Sequence, residues 1–136
     1  MQQCKLDSAE LSNAILVEVS AKQASFRGAN LHQAVLLAAD LSDADLSQAN
    51  LSQANLQRAR AKSARFTNAD LTYTDLSYAD LSAAQMRGVK FMRTNMHQTV
   101  TQGALLDTRT GVLPEDIELR AAEEWRPLMI DGSAKG

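Results

Sequence analysis

From Leu6 to Leu106 every fifth residue comes from a nearly fixed apolar set, and the residue two places before it is almost always alanine. The frame runs through Ala39-Asp40-Leu41-Ser42-Asp43, Ala44-Asp45-Leu46-Ser47-Gln48 and Ala49-Asn50-Leu51-Ser52-Gln53, and it continues in both directions without insertion or deletion. A period of five fits neither regular secondary structure. At about 100° per residue, five residues advance a helix by about 140°, so the leucines spiral around it and form no stripe. In a flat strand side chains alternate, so residues five apart fall on opposite faces. The apolar residues stay on one side only if the chain turns a corner in every repeat and stacks short extended segments around an axis. The period therefore predicts an all-β solenoid.

Within a repeat the apolar centre and the alanine two places earlier share a face of the extended segment, so both point inward. The centres hold thirteen Leu, three Phe (Phe26, Phe66, Phe91), two Met (Met86, Met96), two Ala (Ala21, Ala61) and Thr101. The earlier positions hold fifteen Ala plus Cys4, Val19, Thr74, Val89, Thr94 and Thr99. A large residue beside a small one suits a narrow interior filled without voids. Ala21 precedes Phe26 by one repeat and Ala61 precedes Phe66, which reads as volume compensation within a coil.

The motif Ala-Asp/Asn-Leu-x-x over residues 4 to 108, twenty-one consecutive repeats, resembles the pentapeptide repeat family. The resemblance implies a right-handed quadrilateral β-helix with four repeats, or twenty residues, per coil. About five coils stacked ~4.8 Å apart would give a rod roughly 25 Å long. Asp/Asn is replaced at Ile15, Ser20, Ser25, Val35, Arg60, Arg65, Gln85 and Lys90, a departure from the family pattern, as are the Ala, Met and Thr centres.

The repeat frame divides the chain into a β-helix over 1–108, a turn and helix over 109–130, and a flexible tail over 131–136. Past Arg109-Thr110-Gly111, Pro114 opens a helix whose first turn is acidic, and Leu113, Ile117, Ala121 and Trp125 recur every four residues. That stripe suits either a cap on the last coil or, with Leu128-Met129-Ile130, a dimer contact. The N-terminus offers no comparable cap, since the frame begins within a few residues of Met1.

Composition narrows the function classes. No apolar run approaches the roughly 20 residues that cross a bilayer, and Met1 to Lys5 lacks the hydrophobic stretch of a secretory signal, so the reading is a soluble cytoplasmic protein with no membrane partner. Cys4 is the only cysteine and sits at an inward position, which excludes an internal disulfide and a thiolate cluster. His32 and His97 fall on different sides about three coils apart, too far to share a metal or form a dyad. Ser and Thr follow many centres without a paired base and read as turn residues, not nucleophiles. No cofactor, metal site or catalytic residue is expected, and the chain is not read as an enzyme.

The charges balance within the repeats, ten Lys/Arg against ten Asp/Glu, so no nucleic-acid-binding stripe is evident. Folded at twenty per coil, Asp40, Arg60 and Asp80 share a column and Asp45 lies beneath Arg65, giving ladders of opposite charge. The run Arg58, Arg60, Lys62, Arg65 reads as a solvated, neutralised belt, with phosphate binding as the lesser alternative. One cluster breaks the polar exterior. Ile15 and Val17 point outward beneath Val35 and Leu37, a contact site or else a patch covered by the protein's own N-terminal residues.

The sequence thus reads as a structural or interaction module, a rigid rod that binds a protein partner or a second copy through Ile15, Val17, Val35, Leu37 and the helix bearing Trp125. The alternative is the family's DNA-mimicking protection of gyrase from quinolones. That activity needs a broadly negative face, which the ladders do not supply, so weak or absent protection is expected.

Overall fold

The computed structural model describes residues 3–106, and one local device recurs through all of them. The residue two after each centre from Leu6 to Thr101 has φ between +55° and +77°, seventeen times in a non-glycine residue and three times in glycine. At every centre from Leu6 to Thr101 except Phe91 the carbonyl accepts a hydrogen bond from the amide three residues on, as in Ala49 N to Leu46 O at 3.1 Å. A bond of that span with positive φ at the third residue is a type II β-turn. Left-handed backbone costs an L-residue roughly 1–2 kcal/mol, a cost offset at each corner by the turn bond and by burial of the centre. At Gly88 a Cβ would come 2.1 Å from Asn68 Oδ1, so a side chain there requires Asn68 to move.

Four such corners close one coil. Every isolated parallel bridge joins residues twenty apart, from Lys5 with Ser25 to Asp80 with Val100. The pairing lengthens to named strands once, where β1 (Gln85–Met86) lies parallel to β2 (Leu105–Leu106) with Gln85 opposite Leu105. Each repeat sends two amides to one neighbouring coil and one to the other: Leu46 N reaches Arg65 O at 2.7 Å, Gln48 N reaches Thr67 O at 2.8 Å, and Asp45 N reaches Ala24 O at 2.9 Å. The interior backbone is thereby satisfied without long strands. The molecule has four sides, called here the Lys5, Glu10, Ile15 and Ser20 sides after their first bridging residues.

The core is the inward pair of each repeat. Leu46, Leu51, Leu56, Phe26, Phe66 and Met86 are buried, as are the alanines beside them and the small centres Ala21 and Ala61. The first coil differs from expectation: Cys4, Leu6, Leu11, Leu16 and Val19 are only partly buried, since among the described residues they are packed from one side alone. Threonines two places before a centre find internal acceptors in the preceding coil, whereas the hydroxyl of the buried centre Thr101 has none among the described residues. Thr74 Oγ1 donates to Leu51 O at 2.7 Å, Thr94 Oγ1 to Leu71 O at 2.6 Å and Thr99 Oγ1 to Leu76 O at 2.7 Å. The C-terminal helix, the 109–130 and 131–136 segments and Trp125 lie outside the described residues.

Candidate functional site

Most of the exterior is occupied by self-contained polar corners. The Asp or Asn before a centre turns its Oδ1 to the amide and hydroxyl of the residue after it: Asp40 accepts from Ser42 N at 3.1 Å and Ser42 Oγ at 2.7 Å, and Asp45 does the same with Ser47 at 3.0 and 2.6 Å. Asn50 with Ser52, Asp70 with Thr72, Asp75 with Ser77 and Asp80 with Ser82 repeat the arrangement. The post-centre hydroxyls are thus committed partners of the motif's carboxylate or amide, and Ser47 and Ser77 are buried. That accounts for the Asp/Asn-Leu-Ser/Thr pattern without any catalytic role.

Among the described residues there are three ion pairs. Arg60 meets Asp40 at 3.1 Å as the column predicts, with Lys22 at 3.8 Å from the same carboxylate. The expected pairing of Asp45 with Arg65 is not what forms: Asp45 meets Arg27 at 3.3 Å. A side chain just after a centre reaches diagonally to the carboxylate eighteen residues on, and Lys22 takes the same path to Asp40. Burial pushes the Asp40 carboxyl up, but the Ser42 hydroxyl and amide, then Arg60 and Lys22, outweigh it and hold the group below the ordinary carboxylate value. Asp45 is held low in the same way, with Ser47 and Arg27 overcoming burial.

Carboxylates held low in the folded state contribute stability that is fully present above the ordinary value near pH 4 and is lost as pH falls through the lower folded value. The thermal midpoint is therefore expected to drop as the solution is acidified below about pH 4. Asp40→Asn with Asp45→Asn keeps the acceptor for the turn amide and removes the titration. A melting series by circular dichroism should show a flatter acid limb for that double variant, at a somewhat lower midpoint near neutral pH.

The Ile15 side is the exception to this polar exterior. Ile15 is 71% exposed and Val17 43% exposed, while Val35 and Leu37, one coil on, are half-buried. The Ile15–Val35 bridge stacks the patch in the expected register, and Glu18 N donates to Leu37 O at 2.8 Å beside it. Four predicted contact residues thus come together. Sequence reasoning missed that the same side is apolar again further up, where Tyr73 and Tyr78 are each 53% exposed and Met92 is 50% exposed at its two corners. Arg58 lies over the Tyr78 ring at 5.4 Å, and His97 meets the ring edge-on at 5.5 Å. The histidines remain apart as expected, His32 Nδ1 lying 2.8 Å from Ser52 Oγ. Among the described residues no group of three His, Cys, Asp or Glu is placed to hold a metal ion.

The family model for pentapeptide repeats matches eight copies, over residues 4–36, 39–77 and 62–98, well over half of the chain. Among solved structures the chain is similar to alr5209, a pentapeptide repeat protein from Nostoc Pcc 7120, at 30% identity and a TM-score of 0.64, covering 78% of this chain and 86% of that one. It is similar to HetL, a pentapeptide repeat protein involved in heterocyst differentiation regulation from the cyanobacterium Nostoc sp. Strain PCC 7120, at 27% identity and a TM-score of 0.55. That match covers 79% of this chain but 53% of HetL, so the chain spans about half of HetL's length. A trypsin-treated form of QnrB1, a plasmid-mediated fluoroquinolone resistance protein, matches at 21% identity and a TM-score of 0.47, covering 81% of this chain and 65% of that one. No curated protein sequence matches significantly.

Proposed function

Because the chain belongs to the pentapeptide repeat family, whose members form right-handed quadrilateral β-helices, we propose that it is a non-enzymatic interaction module, a rigid rod that presents its Ile15 side to a protein partner. The observation that carries this reading is the exposure of Ile15 and Val17 above a polar exterior whose carboxylates and hydroxyls are otherwise engaged with one another. A packed interior supports the non-enzymatic part, since among the described residues the centres and the alanines beside them fill the inside of the coil. Burying the aliphatic patch would remove on the order of a few hundred Å² of apolar area from water, several kcal/mol gross at ~25 cal/mol per Å², which suffices only alongside further contacts.

Protection of gyrase by DNA mimicry is the weaker reading. The cations are not spread evenly: all seven in residues 57–106, from Arg58 to Arg93, are exposed, against three acids there that are tied into their own corners. A duplex mimic needs the opposite sign along its length.

Val17→Lys with Leu37→Lys tests the main reading, since both side chains point outward. Sedimentation equilibrium should show association abolished while circular dichroism shows the coil intact. An unchanged oligomeric state, or a wild type already monomeric from which no partner is recovered, overturns the assignment.

A further inference from the structure

The charges of the repeats balance along the chain, but the coils sort them by height. Residues 3–56 carry three cations against six acids, and residues 57–106 carry seven against three. The uncompensated cations gather around the edge where the Lys5 and Glu10 sides meet. Arg87 stands on that edge, Arg65 and Lys90 at the midpoints of the two sides, and Lys62 and Arg93 at their outer corners. All five are exposed, and none belongs to an ion pair among the described residues. Arg65 lacks the acid stacked with it, since Arg27 holds Asp45. The acid on these two sides in the upper coils is Asp70, whose carboxylate accepts from the Thr72 amide and hydroxyl. The neighbouring edge, which bears Lys62, has as many cations, but there Asp40 holds Arg60, Arg58 leans on Tyr78, and Asp43 stands on the edge itself.

We propose that the Arg87 edge of the upper coils docks into a groove of duplex nucleic acid. The inference concerns a part of the surface other than the Ile15 side and does not depend on the reading of that side. Four corners close each coil, so the two sides meet at about a right angle. An edge with cations on both flanks fits a cleft with two negative walls, and a duplex groove has a line of phosphates along each rim. A flat lipid surface reaches the cations of one side at a time. A single strand offers one line of charge, and the columns of the edge and of both midpoints hold no aromatic ring on which an unpaired base could stack.

The edge is slim and polar beside Arg87, where Thr67, Asn68 and Gly88 stand. A right-angled edge enters a major groove about 12 Å wide by roughly half that width, short of the floor at about 8.5 Å, so it meets phosphates and not bases. Binding is therefore independent of sequence. In the first coil the same edge carries Asp7, and the side beside it Glu10, so the duplex crosses the rod at its upper coils and does not run along it. The five cations are scattered between positions 62 and 93 and come together because the coil returns after twenty residues. A count of charge along the chain passes over them.

The test is fluorescence anisotropy of the full chain with a labelled DNA duplex of about 20 base pairs at about 50 mM salt, where a dissociation constant on the order of 1–10 µM is expected. Two duplexes of unrelated sequence should bind within twofold of each other. Plotted logarithmically against salt concentration, the affinity should fall with a slope between about −2.7 and −4.5, as three to five neutralised phosphates require. Arg65→Gln with Lys90→Gln clears both flanks. It should weaken binding at least tenfold and flatten the slope by about 1.8, with the thermal midpoint unchanged. Arg58→Gln with Arg60→Gln removes the same charge away from the edge and should weaken binding less than threefold. No binding at about 100 µM protein and low salt overturns the proposal, as does an equal loss from both pairs. A single strand of the same sequence bound as tightly as the duplex also overturns it, and so do vesicles of phosphatidylcholine with one-third phosphatidylserine that capture the protein when the duplex does not.

Discussion

Replacing Phe66 with alanine is expected to destabilise the rod by about 3–5 kcal/mol, the usual cost of emptying an aromatic site in a closed core. Phe66 is fully buried in one column with Leu46 and Met86, also fully buried. Its neighbour within the coil, Ala61, is too small to swing into the space. The interior is one side-chain layer deep, so the coils above and below lose their mutual contact together with the ring, and stacked repeats derive their stability from such nearest-neighbour contacts. Urea denaturation followed by circular dichroism measures the effect. A loss below about 1 kcal/mol would mean that the surroundings collapse around the gap and that the ring is not what spaces the coils.

Gln48→Pro is expected to be at least as damaging, more than about 3 kcal/mol, although the side chain it replaces is exposed. The backbone there has φ of +62°, which the proline ring forbids, and the amide that donates to Thr67 O at 2.8 Å would be lost. Gln48→Gly is the control. It removes the same side chain, suits left-handed backbone and should change stability by under about 1 kcal/mol. The difference between the two denaturation midpoints isolates the corner conformation from anything the glutamine side chain does. Equal midpoints would show that the corner can be rebuilt around a different turn.

The inward residues were legible because a period of five leaves the chain no other way to keep Leu46, Leu51 and Leu56 dry. The same argument sets Ile15 beneath Val35. What escaped it lies in the three outward positions, where side-chain direction matters as well as register. Folding the sequence at twenty brings Asp45 under Arg65, but a corner residue extends sideways, so Arg27 reaches Asp45 first. Ser42 and Ser47 looked like ordinary turn residues, and only the geometry shows that Asp40 and Asp45 hold them. Tyr73, Tyr78 and Met92 occupy variable positions of their repeats, so no pattern within a repeat marks them. Each is the one large apolar side chain in its own column, and only grouping both corners with the midpoints of the Ile15 side brings the three together.

Because stacked partners are always twenty residues apart, a change in chain length acts on this molecule as a rotation. Five residues inserted between Leu41 and Leu46 would keep every centre inside, yet everything beyond would turn by a quarter circle: Tyr78 would leave the Ile15 side, and Tyr73 would move to the corner that carries Val17 and Leu37. Twenty residues inserted at the same point would add one layer and leave all four sides aligned, with only the spacing of the two apolar groups altered. Any number that is not a multiple of five would drive polar residues inward. Length variants of this rod are thus sorted into those that lengthen a recognition surface and those that divide it between two directions, with no change in the identity of a single contact residue.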